Sequence, residues 1–410
     1  MFDTYCEKVA IKLALSGSDR TLSTLVGKLS IASLLLARVS TRMKVRKVAL
    51  ILHRVVGVMV GLLLVVIGLT GSSLVFWHEI DESRNPQLMR VVPQGDRISP
   101  DAILKPVQTA YPDLKLESID LPRTPEETYK VGLKSKDDKW IDTYVNPYTG
   151  AILGQRQWGR TLMTFIYDIH MTLLAGEVGG IVVGICGILL LLLGISGVIL
   201  WPGWKQFAQG FKIRWKSPVQ LVNYDIHKVG GILSTVFLLL IAFTGAAMIF
   251  YTQFEGAVYW LTGTPKPPDA KSTVIANSAP MAVEAILQNA NAALPGGETT
   301  YISLPKKPDG AFRVTKKLDR ELTPHGRSRV FLDQYSGEVL RVENALEAPL
   351  ANRILNALFP LHIGIYGGLA MRILYIFIGL APTVLFITGF ALWWSKTYAV
   401  RARRRQTAKS

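Results

Sequence analysis

Long, unbroken apolar runs dominate the pattern of hydrophobic and polar positions along this chain. The clearest run opens with a histidine and a lysine, at His227 and Lys228, and then continues to Phe250 with few polar residues. A run of this length and composition is typical of a membrane-spanning helix rather than a buried core helix. Runs of this kind predict four spans, at residues 48–77, 163–201, 225–251 and 355–394.

The first and third runs share one motif. Each has a histidine, a basic residue directly after it, and a Thr-Gly pair that begins 17 residues after the histidine. These residues are His53, Arg54, Thr70 and Gly71 in the first run, and His227, Lys228, Thr244 and Gly245 in the third. Apolar segments resemble one another by chance, but this shared spacing indicates a true repeat.

The second and fourth runs share a different motif, in which a histidine lies 27 residues before a glycine that follows serine or threonine. The pairs are His170 with Gly197 and His362 with Gly389. The chain is therefore predicted to be an α-helical membrane protein. Its four-helix bundle is built from a duplicated two-helix unit, in which each helix carries one histidine near its start.

The formal net charge of +16 first suggests a nucleic-acid binder, but the basic residues cluster beside the predicted spans. By the positive-inside rule, this placement predicts membrane orientation, with both termini on the cytoplasmic side, and argues against nucleic-acid binding. The remaining predicted segments are an N-terminal extension (1–47), exported segments (78–162 and 252–354), a cytoplasmic loop (202–224) and a basic cytoplasmic tail (395–410).

The two exported segments also repeat. In each, a predicted helix precedes four short alternating strands, and a turn rich in Asn, Asp, Tyr and Gly separates the last two. Those turns, at 146–150 and 333–337, have the composition of hairpin connections. Ser99 and Pro100 have the residue types of a helix N-cap and first turn. Each segment is therefore predicted to be a small exported α+β domain.

A helix-plus-hairpin domain with an Asn/Asp-x-Tyr-Ser/Thr-Gly turn resembles a PepSY domain. Histidine-bearing helices around two such domains resemble the PepSY-associated transmembrane family, over about residues 45–400. That resemblance implies a multi-pass protein of the bacterial inner membrane with two periplasmic domains. It also implies similarity to reductases of ferric siderophores, which hold two b-type haems per chain.

Repeat spacing predicts the depth of each histidine. At 1.5 Å per residue, 17 residues span roughly 26 Å, which is close to the thickness of the hydrocarbon core. His53 and His227 are then at the cytoplasmic side, and His170 and His362 at the external side. Two imidazoles that converge on one iron can act as the axial ligands of a haem, so the four histidines are candidate ligands of two haem irons.

Other residues are candidates to complete these sites. Arg54, Lys228 and Arg372 are possible partners for haem propionates near the interface. The glycines of the two motifs, which are Gly71, Gly197, Gly245 and Gly389, are candidates for packing against a flat macrocycle. A covalently attached haem is excluded because the sequence has no Cys-x-x-Cys-His motif. Zinc is a weaker alternative, since no cysteine or carboxylate set completes a tetrahedral site in the spans.

The expected function is electron transfer from a cytoplasmic or quinol donor to a periplasmic acceptor, with ferric siderophore as the acceptor that the resemblance implies. Two other interpretations stay open. One is a haem-bearing electron-transfer subunit for another periplasmic reductase or quinone pool. The other is a non-enzymatic membrane anchor whose PepSY-like domains bind or inhibit a protein partner. His78 and His325 lie outside the repeat, and we expect a surface and a loop position for them.

Overall fold

A computed structural model of the protein describes the backbone of residues 19–407 and the side chains of residues 44–398. Residues 1–18 of the predicted N-terminal extension lie outside the described backbone, and most side chains of that extension and of the predicted basic tail lie outside the described side chains. The helices are α1 (Asp19–Leu74), α2 (Trp77–Arg84), α3 (Pro86–Met89), α4 (Pro100–Ala110), α5 (Leu162–Thr172), α6 (Gly176–Leu200), α7 (Phe207–Phe211), α8 (Val219–Ile249), α9 (Tyr251–Thr262), α10 (Val283–Ala293), α11 (Leu350–Ile363) and α12 (Gly368–Thr407).

Within the described part of the chain, four helical segments are long and apolar enough to cross a membrane, at Lys44–Leu74, Gly176–Trp204, Val219–Ile249 and Ile365–Tyr398. Helix α1 packs against α6 and α12, and α8 packs against the same two helices, so α1 and α8 lie diagonally across a four-helix bundle. Small residues permit close approach: a Cβ added at Gly68 would lie 2.4 Å from the carbonyl oxygen of Gly379. The protein is therefore a multi-pass membrane protein.

The structure corrects the predicted second and fourth spans, because 163–201 and 355–394 are each divided by a sharp break. In both, a short helix that carries the histidine ends before the spanning helix begins. A left-handed backbone conformation ends an α-helix, since it turns the chain away from the helical path. The residues with positive φ are Leu173, Leu174 and Gly176 in the first break, and Gly364 and Gly368 in the second.

The four strands predicted in each of the two segments are present. They are β1 (Lys115–Asp120), β2 (Tyr129–Lys134), β3 (Trp140–Val145), β4 (Ile152–Gln157), β5 (Glu298–Ser303), β6 (Ala311–Lys317), β7 (Ser328–Asp333) and β8 (Val339–Glu343). The two predicted domains are not separate, however. All eight strands form one antiparallel sheet in the order β4-β3-β2-β1-β5-β6-β7-β8. The halves join where β1 pairs with β5, with Ile119 opposite Ile302.

Helices α4 and α10 cover one face of this sheet. Their apolar residues pack with strand residues of both halves, including the fully buried Ile103, Ile119 and Ile286. Burying a side chain of this size stabilises the fold by about 1.5–3 kcal/mol. The predicted Ser99 cap is confirmed, because its hydroxyl accepts from the Ala102 amide. One cap crosses between the halves: the Asp101 carboxylate accepts from the first two amides of α10.

Two facing pairs of histidines as candidate cofactor sites

The inner pair of histidines, which is His53 and His227, lies across the diagonal of the bundle. His53 is within the continuous helix α1, and His227 is within the continuous helix α8. Their ring centroids are 6.0 Å apart, and the ring planes are at 88° to each other. Both rings are partly buried between α6 and α12, which separate the two diagonal helices. Two continuous helices therefore hold two imidazoles close together, with their ring planes nearly perpendicular, near one end of the bundle.

The outer pair is held by different elements. His170 lies on α5, which follows the edge strand β4, and His362 lies on α11, which follows the opposite edge strand β8. Their ring centroids are 6.2 Å apart with an interplanar angle of 56°. The Thr70 hydroxyl of α1 contacts His170, so the outer pair lies about 26 Å along α1 from His53. The two pairs are thus near opposite ends of the spans.

Both separations suit a single metal ion between two imidazoles. Metal–imidazole bonds are about 2 Å long, and the ring centre lies about 1 Å beyond the nitrogen, so two trans ligands place their centroids about 6 Å apart. The observed 6.0 Å and 6.2 Å match that value. Direct imidazole–imidazole hydrogen bonding between the two rings is not seen in either pair among the described residues. The spacing therefore fits ligation better than it fits a simple polar contact.

Hydrogen bonding fixes which nitrogen of each ring is available. Each Nδ1 lies within 3.2 Å of a hydroxyl oxygen. The partners are Ser196 for His53, Thr70 for His170, Thr388 for His227 and Thr244 for His362. Every one of these hydroxyls donates its single hydrogen to a backbone carbonyl three or four residues earlier. The hydroxyl oxygen must then accept from Nδ1–H, which leaves the Nε2 lone pair free to bind a metal.

The four motif glycines pack against the histidine rings rather than against an open slot. A Cβ added at Gly71 would lie 2.9 Å from Cε1 of His170, and at Gly245 it would lie 2.9 Å from Cε1 of His362. The same distance is 3.1 Å from Gly389 to His227 and 3.5 Å from Gly197 to His53. The Ser/Thr-Gly motif therefore has two parts: the hydroxyl orients the ring, and the glycine makes room for it.

The basic residue that follows each inner histidine has a different environment in each half. Lys228 donates to the Asp225 carboxylate and to two backbone carbonyls, each at 3.0 Å. An ammonium group has three donors, so all of them are used. Arg214 binds the same buried Asp225 through both its Nε and Nη2 atoms. The arrangement makes Lys228 a structural residue, whereas Arg54 is exposed.

Arg372 also has partners at the outer end of the bundle. Its guanidinium donates to the Glu79 carboxylate at 2.6 and 2.9 Å and to the Val75 carbonyl at 2.7 Å. It lies over the Phe76 ring as well. The hydrogen bond from Arg372 lowers the pKa of Glu79. Arg372 therefore ties α12 to the segment where α1 ends, close to the outer pair.

A tetrahedral metal centre has no support in the part of the chain whose side chains are described. No group of three or more His, Cys, Asp or Glu residues there is arranged to hold a metal ion. A structural zinc site needs four such ligands, whereas a haem iron needs only two from the protein because the macrocycle supplies the rest. Each histidine pair can supply the two protein ligands that a planar iron cofactor would need.

The fold and the paired residues define a class: among the described residues, a membrane protein with four candidate spans, one eight-stranded sheet outside the spans and two facing pairs of histidines. The model of the PepSY-associated TM region matches residues 50–396, and the chain belongs to that family. One relative, a Pseudomonas aeruginosa protein described as uncharacterized, is 27% identical over 256 residues. That alignment covers 56% of this chain and 63% of the relative, so this chain spans less than two thirds of the relative's length.

Proposed function

We propose that each histidine pair holds one b-type haem and that the protein transfers electrons across the bacterial inner membrane to a periplasmic ferric chelate. The observation that carries the proposal is the shared geometry of the pairs. Both have centroid separations near 6 Å, and all four rings have Nδ1 hydrogen-bonded to the protein. Ionisable residues within or next to membrane spans are costly and are functional candidates by default.

The proposed roles of the side chains follow from this geometry. The histidines are the axial ligands, and the hydroxyls of Thr70, Ser196, Thr244 and Thr388 fix their tautomers. Bound haem would supply one-electron redox chemistry, and the two histidines of each pair would hold its iron. Arg54 is the candidate propionate partner at the inner site, because Lys228 is already bound to Asp225.

The proposed direction of transfer rests on charge. The basic residues flank the ends of the spans nearest His53 and His227, which favours a cytoplasmic location for that end. The exported sheet then covers the end nearest His170 and His362. The sequence has no dinucleotide-binding glycine fingerprint, so the electrons come from another cytoplasmic protein or from a quinol. Reduction consumes one electron for each ferric ion, and the siderophore holds the ferrous product much less tightly.

Equivalent contacts in the two halves support the proposed duplication of a two-helix unit. His170 contacts Thr70 and the Ile67 carbonyl, while His362 contacts Thr244 and the Ile241 carbonyl. The spans also pair in the same manner, because α1 packs on α6 as α8 packs on α12. In a duplicated unit with a two-fold relation, each site combines one histidine from each copy of the unit.

The test is an absorption spectrum and a haem assay of the purified full-length protein from haem-replete cells. We expect a b-type Soret band, sharp bands after reduction, and two haems per chain. Addition of a ferric trihydroxamate to the reduced protein should then reoxidise it. A protein that carries no haem would refute the proposal and would favour a non-enzymatic anchor.

A further inference from the structure

A cavity of about 530 Å³ opens at the junction of the two halves of the exported sheet. We call it the junction cavity. From the first half it is lined by His78 and Glu82 of α2 and by the loop before β2. From the second half it is lined by Glu298 of β5, Lys317 of β6 and Pro324. Its volume is within the range of sites that bind small molecules.

The junction cavity lies close to the outer histidine pair. Thr70, whose hydroxyl contacts His170, precedes His78 by eight residues, across the end of α1 and the start of α2. Trp77 directly precedes His78, and its ring contacts Trp158 and Tyr167 at centroid distances of 5.9 and 5.4 Å. Tyr167 lies three residues before His170 on α5, so this aromatic contact links the wall of the cavity to the helix that carries His170.

The walls of the cavity are held in place by the backbone and by side chains. Arg97 donates to the carbonyls of Pro122 and Thr124, which fixes the loop before β2. The Thr128 hydroxyl donates to the Leu88 carbonyl and ties that loop to α3. A binding site with its supporting contacts already formed loses little entropy when a ligand arrives.

The charged residues in the lining determine which net charge of ligand the cavity favours. Four carboxylates line the cavity, on Glu82, Glu126, Glu127 and Glu298. Three permanently charged cations also line it, on Arg90, Arg123 and Lys317. Both guanidiniums are already paired, Arg90 with Glu82 and Arg123 with Glu127. Lys317 lies opposite Glu298 in the strand pair β5–β6. The cavity thus has one carboxylate in excess, at Glu126, and each cation has a carboxylate beside it.

We propose that the junction cavity is the binding site for the electron acceptor and that it selects neutral or cationic ferric chelates over strongly anionic ones. The assignment rests on the proposed electron-transfer function. Anionic chelates, such as tricatecholates, need unpaired arginine or lysine groups, and here a strongly anionic ligand would displace carboxylates from their guanidiniums. A hydroxamate chelate with a free ammonium group meets the excess carboxylate of Glu126 instead.

Binding is measured with gallium(III) chelates, which have the shape and charge of the ferric complexes but accept no electron. Calorimetric titration of the detergent-solubilised full-length protein would use two probes, a trihydroxamate with one ammonium group and a tricatecholate. We expect the cationic probe to bind at least tenfold more tightly. The substitutions Glu126→Gln and Glu298→Gln should each weaken that binding about two- to fivefold, the range for partly exposed charges.

Glu338→Gln is the matched control. Glu338 is exposed in the β7–β8 turn, which lies at the other end of the β6–β7 strand pair from Lys317. This substitution should leave binding unchanged. Absence of binding, tighter binding of the tricatecholate, or equal effects of the cavity and control substitutions would each overturn the assignment. Because gallium takes no electron, a failure of haem binding or electron transfer is detected separately, by the spectrum. Gallium binding without ferric reduction would contradict the proposed function, and the junction cavity would then be a chelate-binding site without a role in electron transfer.

Discussion

The inner and outer histidine pairs have nearly the same separation but are held by different kinds of structure. His53 and His227 lie inside continuous spanning helices, so the packing of the bundle alone fixes their positions. His170 and His362 lie on short helices that continue from the two edge strands of the exported sheet. The comparison teaches that the inner site belongs to the membrane bundle, whereas the outer site depends on the membrane bundle and the exported domain together.

That difference suits the proposed roles. A site that receives electrons needs only a fixed position near the cytoplasmic face. A site that delivers them to an external molecule needs a defined relation to the place where that molecule binds. The segment from β4 to α5 provides this relation, because Trp158 at its start contacts Trp77, and its indole N–H donates to Asp168 two residues before His170.

Removal of a histidine should have the largest effect. We expect His53→Ala or His227→Ala to lower the haem content from two per chain to one, and the double variant to lose no more. Loss of one axial ligand undoes the site as a unit, so the two substitutions are not additive. His170→Ala and His362→Ala should remove the other haem in the same way. A pyridine haemochrome assay measures the content, and any variant that keeps two haems with unchanged spectra contradicts its assignment.

Glycine substitutions should have the next largest effect, and they should affect the outer and inner histidine pairs differently. At Gly71 and Gly245 an added methyl group lies 2.9 Å from a histidine ring, whereas at Gly197 it lies at an ordinary contact distance of 3.5 Å. Gly71→Ala and Gly245→Ala should therefore displace the outer rings and lose most of the outer haem. Gly197→Ala should retain the inner haem.

Gly57→Ala is the control for these variants. It is on the same helix as Gly71, and its added methyl group would lie 3.7 Å from the nearest side chain. Haem content and the spectra of the remaining haem are the measurements. Equal retention in Gly71→Ala and Gly57→Ala would show that the ring contact does not position His170.

A smaller effect is expected from a substitution at the contact between α2 and β4, which supports only the outer histidine pair. Asp81 of α2 accepts two hydrogen bonds from Arg156 of β4, at 2.7 and 2.9 Å, and both side chains are largely buried. Asp81→Asn should destabilise this junction by about 3 kcal/mol, because it leaves a buried guanidinium without its counter-charge. We expect faster loss of the outer haem on warming and an unchanged inner haem.

Asp138→Asn is the control for that variant, since Asp138 is exposed in its ion pair with Lys134. Thermal difference spectra follow each haem separately. If Asp81→Asn released both haems at the same temperature, or neither earlier than the control did, the outer site would not depend on the exported domain.

Much of this fold follows from local patterns. Apolar runs predict the spans, and alternating residues predict the strands, because each signal is contained in a few neighbouring residues. The repeat spacing also predicts which histidines meet: His53 lies near His227, and His170 near His362. Their role as haem ligands stays a prediction. The Thr-Gly and Ser-Gly pairs are visible as a motif. Their spacing relates each pair to the histidine of its own run, whereas each hydroxyl contacts a histidine of another run.

Other features have no local signal. Leucine rarely adopts positive φ, so the break at Leu173 and Leu174 could not be read from residue type. The pairing of β1 with β5 joins residues more than 180 positions apart, and each half alone satisfies the α+β pattern. Lys228 matches Arg54 in the repeat, but the loop that brings Arg214 to Asp225 gives it a different role.

The most direct test of the central claim, that electrons leave through the outer pair, is stopped-flow oxidation of reduced protein by a ferric trihydroxamate. Protein is reduced with dithionite and freed of excess reductant before mixing. His53→Ala and His227→Ala keep the outer site, so their remaining haem should be oxidised at about the wild-type rate. His170→Ala and His362→Ala keep only the inner site, and their oxidation should be at least tenfold slower. Equal rates from the two sets of variants would contradict the ordered path.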